Sequence, residues 1–541
     1  MDWEGPRTRP TFWTPSIPPL ERRLPATGAL VDAYRSMRLA WVLATLPLHL
    51  FLTALSCLPL FHQHILPSWL SPGKKQRWAP QQRLVYPVLR RFIWAICDVG
   101  SPGALTPSEA RAGPWWGWAL EWFTVVVGGG ARVDVEVLDA ELPEEAREEG
   151  WVKGDVVDPR GLIEFEKVPM FFFERAVEEK SAKGKRGEAR WRARDERGRI
   201  VLYFVGGGFV TGNPTEGSRC FKLARETGLR IVGANFRKAT APDQAFPAGL
   251  QDALAAYAYL VLTLGYRDIV LAGDSAGAAL AVNLLQYLTL TVPSSTTGRV
   301  PPSLLLPTGL LLYSPWADLT ASTYDEQIHS DYEDDIICAG MATNSIRAYL
   351  LHVNTPLSPS AVKTLGGNPS PDSVYSRRAK HPWFSPSLPI ALPFLTAVAK
   401  AYLPPSTQNS RHLSLIDSAV PRRPLRLFVT TGTAELFFPE VDNLVKNLRA
   451  ASRAAAVDAG DPKVEPLEVE AIEAEGEVHC FPLVPEWVSP AARKATRRIR
   501  RWLLRDLDSS EGKDGELRNA DKEGEKGGRG GSLFGNQVGV W

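Results

Sequence analysis

The residues most suited to chemistry are Gly273-Asp274-Ser275-Ala276-Gly277, a serine with a glycine two positions away on either side. They follow the apolar run 268–271 and precede the helix-like run 278–285. That order predicts a strand, a tight turn and a helix, the elbow that exposes a nucleophilic serine hydroxyl. Glycines at these positions let strand and helix pass closely, and the helix N-terminus favours an anionic intermediate at the turn. By chance the bare pattern occurs in roughly one chain in four of this length, so its partners must decide.

A nucleophilic serine needs a base, an orienting acid and donors for the developing oxyanion. Five histidines follow Ser275: His329, His352, His381, His412 and His479. Only His479 comes after every strand candidate, in Glu477-Val478-His479-Cys480, just before a helix expected over 490–504. It is the candidate base, and the other four read as surface or hydrogen-bonded residues. For the acid, Glu435 stands just past the end of the strand expected over 425–432, on the rim where ligands bind in open α/β sheets. Glu440 and Asp442, one or two helical turns later, are the alternatives. Gly206-Gly207-Gly208 follows another strand candidate, 200–205, and offers backbone N–H groups unobstructed by a Cβ. The N–H of Ala276 adds a further donor.

These residues require a scaffold, and the alternation of apolar strands with helical segments from Gly198 onward predicts a doubly wound, mostly parallel sheet. Strands are expected over 200–205, 231–236, 268–271, 309–316 and 425–432, with an earlier candidate at 170–173 and a helix opening near 246. Proline-rich loops over about 320–420 read as insertions around the site, and the charged run 178–199 as a solvated loop. The expected organisation is a Pro/Arg-rich segment 1–38, a membrane-anchor helix 39–61, an aromatic-rich cap or membrane-proximal region 62–165, a catalytic domain 166–507 and a disordered tail 508–541. The anchor reading rests on the absence of Asp, Glu, Lys and Arg from 39–61, long enough to cross a hydrocarbon core. Basic residues flank it on both sides, with a slight bias toward a cytosolic N-terminus, so the site would face the lumen of the endoplasmic reticulum.

Composition narrows the function classes. With 62 Lys and Arg against 60 Asp and Glu in 541 residues, no global field recruits nucleic acid. The five cysteines are scattered, without a C-x-x-C pair, which argues against a disulfide scaffold or a zinc cluster.

Phe204-Val205-Gly206-Gly207-Gly208-Phe209 resembles the HGGG signature, and Gly273-Asp274-Ser275-Ala276-Gly277 the GDSAG elbow, of the hormone-sensitive-lipase-like branch of α/β hydrolases. Tyr313-Ser314-Pro315-Trp316, Gly432-Thr433-Ala434-Glu435 and Val478-His479 add to the likeness, which covers about 199–505. With the expected anchor, the chain is most similar to the fungal steryl acetyl hydrolase and arylacetamide deacetylase type. The resemblance implies an α/β-hydrolase fold with a helical cap, and hydrolysis of short-acyl esters of lipophilic alcohols without metal or organic cofactor. It implies Ser275 as nucleophile, Glu435 as acid, His479 as base, and Gly207, Gly208 and Ala276 as oxyanion donors. The substrate would be a small lipophilic ester, with the membrane as the other partner. Two positions depart from the pattern: Val205 replaces the usual histidine, and Asn235-Phe236-Arg237 replaces Asp-Tyr-Arg. Val205 also motivates a rival expectation, a silent hydrolase scaffold that binds a small molecule.

Overall fold

The computed structural model describes residues 78–99, 113–126, 130–158, 161, 163–176, 198–216, 219–239, 242–292, 304–319, 335–337, 392–403 and 424–505, with isolated positions elsewhere. The expected anchor 39–61, apart from four isolated positions, the charged loop 178–197 and the tail from 506 lie outside the described residues. Among the described residues no helix is long and apolar enough to cross a membrane. The chain divides into two units, Met1–Ala495 and Thr496–Trp541. The first carries the sheet and the candidate site; the described part of the second is the end of the final helix.

The sheet has eight strands: β1 Val133–Ala140, β2 Val168–Arg175, β3 Arg199–Phe204, β4 Arg230–Ala234, β5 Asp268–Asp274, β6 Gly309–Tyr313, β7 Leu425–Gly432 and β8 Leu467–Ala474. Their order is β1-β2-β4-β3-β5-β6-β7-β8. β1 and β2 pair antiparallel, as do β2 and β4, and every other neighbouring pair is parallel. Central strands β3, β6 and β7 are buried along their whole length, which is why they read as continuous apolar runs. The edge strands VDVEVLDA and LEVEAIEA alternate charge with apolar side chains, and their middles are only half-buried. β1 therefore belongs to the sheet although it lies before residue 166, and the region expected wholly as a cap contributes an edge strand.

The helices are α1 Pro80–Val99, α2 Trp115–Val126, α3 Arg219–Thr227, α4 Ala248–Ala258, α5 Ala276–Gln286, α6 Leu392–Ala401, α7 Phe438–Asp458 and α8 Pro490–Leu504, of which α3, α4, α5 and α7 pack on the sheet. α5, Ala- and Leu-rich and buried throughout, lies at the centre of the core against β5. α1 packs through Tyr86, Val85, Leu89 and Ile93 on Val478, Val484 and Val488, the segment around His479. α2 pairs its single carboxylate, Glu121, with Arg225 of α3 and turns Leu120, Trp122, Phe123 and Val126 outward.

Candidate active site

Ser275 connects β5 directly to α5 with φ 53° and ψ −122°. A non-glycine residue at positive φ is strained, and here the strain lifts the serine out of both the strand and the helix. The spacing of the glycines has a measurable cause. A Cβ on Gly273 would lie 2.5 Å from the Gly277 carbonyl, and a Cβ on Gly277 would lie 2.0 Å from Phe204 O. Ser275 is the half-exposed residue of an otherwise buried turn, and the neighbouring surface residues Gly207 and Gly208 are half-exposed too. As the residue before the first helical N–H, Ser275 leaves Ala276 N–H among the donors that have no intrahelical partner.

The glycine loop is fixed by Asp274. Its Oδ1 accepts the Gly206 N–H at 3.0 Å and the Tyr203 hydroxyl at 2.9 Å, and Arg219 Nε lies 3.2 Å from Oδ2. Val210 and Thr211 N–H both close on Gly207 O at 3.1 Å, so the loop turns back on itself. Ala239 N–H donates to Phe209 O at 2.8 Å, which ties the loop to the segment after β4. In that segment Arg237 holds Asp252 through Nε and Nη2, at 3.0 and 2.8 Å to Oδ1. The arginine of the Asn-Phe-Arg variant is thus anchored by a carboxylate on α4.

The acid and the histidine approach from β7 and the loop after β8. Glu435 is fully buried, and both its oxygens are bonded: Thr431 donates to Oε1 and Ser314 to Oε2, each at 2.5 Å. His479 Nδ1 lies 3.6 Å from Glu435 Oε2, within ion-pair range and beyond hydrogen-bond reach. Such contacts are often long without substrate. Ser314 also accepts the Cys480 N–H at 2.9 Å, while Ser275 N–H donates to Tyr313 O at 2.9 Å. The end of β6 is therefore shared by all three elements. The histidine loop is held further by α1 and its approach: Trp78 Nε1 donates to Gly476 O, and Glu477 accepts from Gln82, Tyr86 and Ser489. An aromatic series runs beside these groups, with Phe209 near Trp316, Trp316 stacked on Phe437 at 5.2 Å, and Phe437 edge-to-face with His479 at 5.0 Å.

Residues 201–370 match the family model of the α/β hydrolase fold. Over that stretch the chain is similar to the α/β hydrolases. The chain is 36% identical over 135 residues to an acetyl-hydrolase of Streptomyces hygroscopicus, covering 24% of this chain and 40% of that one. It is 36% identical over 83 residues to the versiconal hemiacetal acetate esterase of Aspergillus parasiticus, covering 15% and 26%. With an esterase of Acinetobacter venetianus it shares 27% over 174 residues, covering 32% and 51%. The chain thus spans about half or less of the length of these relatives. A solved hormone-sensitive lipase from a metagenome library aligns with TM-score 0.42 and 18% identity over 78% of this chain and 97% of that one.

Of the residues singled out in the sequence, the fold brings Glu435 to His479 and sets Gly206 beside Ser275, where a Cβ on that glycine would meet Ser275 Cβ at 3.0 Å. Glu440 is buried elsewhere, accepting the Asp318 N–H at 2.9 Å, and Asp442 pairs with Lys446 one turn along α7. His329, His352, His381 and His412 lie outside the described residues. Two polar residues of the site had no role in the sequence reading. Ser314 stood only inside the Tyr-Ser-Pro-Trp match. Asp335, fully buried, accepts the His479 backbone N–H.

Burial disfavours the His479 imidazolium, but Cys480 and Glu435 outweigh it, and the pKa lies well above the ordinary histidine value. Burial also pushes the Cys480 thiol up, so that thiol is uncharged at neutral pH and the Glu435 carboxylate is the operative cause. A buried carboxylate behind an imidazole can hold one ring tautomer and stabilise the imidazolium formed when the ring takes a proton.

Proposed function

We propose that this chain is a serine carboxylic-ester hydrolase acting on short-acyl esters of lipophilic alcohols, steryl acetates among them. The observation that carries the reading is the half-exposed, strained Ser275 at a strand–helix elbow whose neighbouring strand end, Tyr313-Ser314, also binds the Glu435 and His479 loops. In this reading Ser275 Oγ attacks the acyl carbon as its proton passes to His479. The carbonyl oxygen becomes an anion held by Gly207, Gly208 and Ala276 N–H, each such donor worth about 3 kcal/mol in the transition state. The imidazolium then protonates the departing alcohol. Water, giving its proton to His479, attacks the acyl-enzyme and releases the carboxylic acid and the free serine.

The aromatic series Phe209, Trp316 and Phe437 supports an apolar substrate. The names of two relatives, an acetyl-hydrolase and an acetate esterase, support a short acyl group. Membrane attachment, with the endoplasmic reticulum as the compartment, is part of the proposal; it rests on the uncharged run 39–61 and the outward apolar residues of α2. Recovery of the full-length chain in the soluble fraction without detergent overturns the attachment.

The test of the chemistry is turnover of p-nitrophenyl acetate and of a steryl acetate by the protein and by Ser275→Ala, with fluorophosphonate labelling of both. Equal rates, or no labelling of the unsubstituted protein, refute the esterase. The second outcome favours the rival that Val205 motivates, a silent binding scaffold.

A further inference from the structure

We infer that Asp335 is a positioning residue that clamps the loops bearing Glu435 and His479 to each other and holds a negative charge beside the imidazolium. The inference rests on the proposed roles of those two residues.

Asp335 is fully buried, in a short described segment with Ile336 and Ile337. Its Oδ2 accepts the backbone N–H of Leu436 at 2.8 Å, the residue directly after the proposed acid. Its Oδ1 accepts the backbone N–H of His479 itself at 2.9 Å, and that of Ile336 at 2.7 Å. One carboxylate therefore joins the turn after β7 to the turn after β8, further along than the backbone bond from Ala434 N–H to Glu477 O at 3.0 Å. A move of either loop away from the other breaks a charge-assisted hydrogen bond, which is about twice as strong as a neutral one.

An uncharged side chain could accept a single N–H at far smaller desolvation cost, because burying a carboxylate costs several kcal/mol unless other charges compensate. The compensating charge is the His479 imidazolium. Glu435 lies on the Nδ1 side, the uncharged Cys480 thiol follows in the chain, Phe437 presents its ring, and Asp335 sits at the backbone N–H. Burial, helped by Glu435, outweighs the pull of His479 and of the Leu436 and His479 N–H groups and raises the Asp335 carboxyl to about 6, so it is ionised at neutral pH. The attraction is mutual, so Asp335 favours the imidazolium as much as the imidazolium favours the carboxylate. Two carboxylates about one imidazolium give the base a net negative setting as it takes the serine proton.

The experiment compares the unsubstituted protein with Asp335→Asn and Asp335→Glu in the pH profile of kcat/KM for p-nitrophenyl acetate, with kcat and KM measured separately. Asp335→Asn should lower kcat roughly tenfold or more with KM within about twofold, and move the acid limb about half a pH unit downward. Asp335→Glu keeps the charge, so it should lose rate while the limb stays in place. A folded Asp335→Asn protein with unchanged kcat and limb overturns the inference. So does one that loses thermal stability and rate with the limb unmoved, since that is a strut without an electrostatic role. If Asp335→Asn does not fold, Asp335→Glu decides: unchanged kcat overturns the clamp, and a lowered kcat with a fixed limb supports it. Failure of the unsubstituted protein to turn over ester or to take the fluorophosphonate counts against the proposed function and is read separately.

Discussion

The hydroxyl of Ser314 lies 2.5 Å from Glu435 Oε2 and donates to it, although the two residues are 121 positions apart in the chain. Ser314 has φ 42°, so the end of β6 is strained to present that hydroxyl. The same oxygen accepts the Cys480 N–H, which makes Ser314 the joint between the acid and the histidine loop.

Ser314→Ala is expected to lower kcat/KM about 10- to 100-fold. A hydrogen bond to a charged group contributes roughly 1.5–3 kcal/mol, and its loss frees both Glu435 Oε2 and the Cys480 N–H. Most of the loss should fall on kcat, because Ser314 orients the acid rather than binding ester. Steady-state kinetics with p-nitrophenyl acetate check it, and an unchanged kcat would mean that Thr431 alone suffices to hold Glu435.

Glu435→Gln should separate the acid from its alternatives by pH dependence. The base acts in its neutral form, so activity falls as pH drops through the His479 pKa, and the raised value puts the acid limb above about 6.5. Removing the carboxylate lowers that pKa, and the limb should move to lower pH while kcat falls about 10²- to 10⁴-fold. Glu440→Gln should leave the limb in place and lower the melting temperature instead, since Glu440 is buried on the Asp318 N–H. A limb that moves in Glu440→Gln and stays in Glu435→Gln reverses the assignment.

Much of this site was legible because steric necessity writes itself as glycine. Gly273 and Gly277 are spaced by a strand and a helix whose atoms approach to distances that no Cβ tolerates. Glu435, Glu440 and Asp442 all stayed open as acids in the sequence; in the structure Glu435 at the strand end lies beside His479, while Glu440 and Asp442 are held by other partners. β1 and β8 escaped notice because half-buried edge strands alternate Val and Leu with Asp and Glu, and acidic alternation resembles a solvated segment. Ser314 and Asp335 were not legible as functional residues. A serine closing an apolar run carries no mark, and Asp335 is one of several acids in Asp331-Tyr332-Glu333-Asp334-Asp335, among which only tertiary contacts choose. The start of the glycine loop beside Val205 is held by Asp274, which accepts the Gly206 N–H from the elbow side.

Asp274→Asn tests that last relationship. Arg219, whose side chain is partly exposed, would lose its carboxylate partner, which costs less than the roughly 3–5 kcal/mol of breaking a fully buried pair. At about 2–4 °C per kcal/mol the melting temperature should fall by roughly five degrees. In the protein that remains folded, fluorophosphonate labelling of Ser275 should slow, because Gly206 N–H loses its charged acceptor and the glycine loop loosens. Normal labelling with a lowered melting temperature would show that Val210 and Thr211 hold the loop unaided.

Tyr86→Phe probes the attachment of α1 to the histidine loop, and its effect should depend on pH. Glu477 is buried, and burial raises its pKa, while hydrogen bonds from Tyr86, Ser489 and Gln82 pull it back. An acid whose folded-state pKa is raised binds more protons folded than unfolded, so its contribution to stability falls as pH rises from about 4.5 through the folded value. Removing the Tyr86 hydroxyl withdraws one charge-assisted bond of about 1.5–3 kcal/mol from the ionised form and much less from the protonated form. The folded-state pKa therefore rises further and the loss of stability with pH steepens. Melting curves should show a larger gap between Tyr86→Phe and the unsubstituted protein at pH 8 than at pH 5. Because Glu477 lies two residues before His479, kcat should fall together with the melting temperature at pH 8. A gap that is equal at the two pH values would mean that Glu477 is already protonated at pH 8 or that Ser489 and Gln82 replace the lost donor.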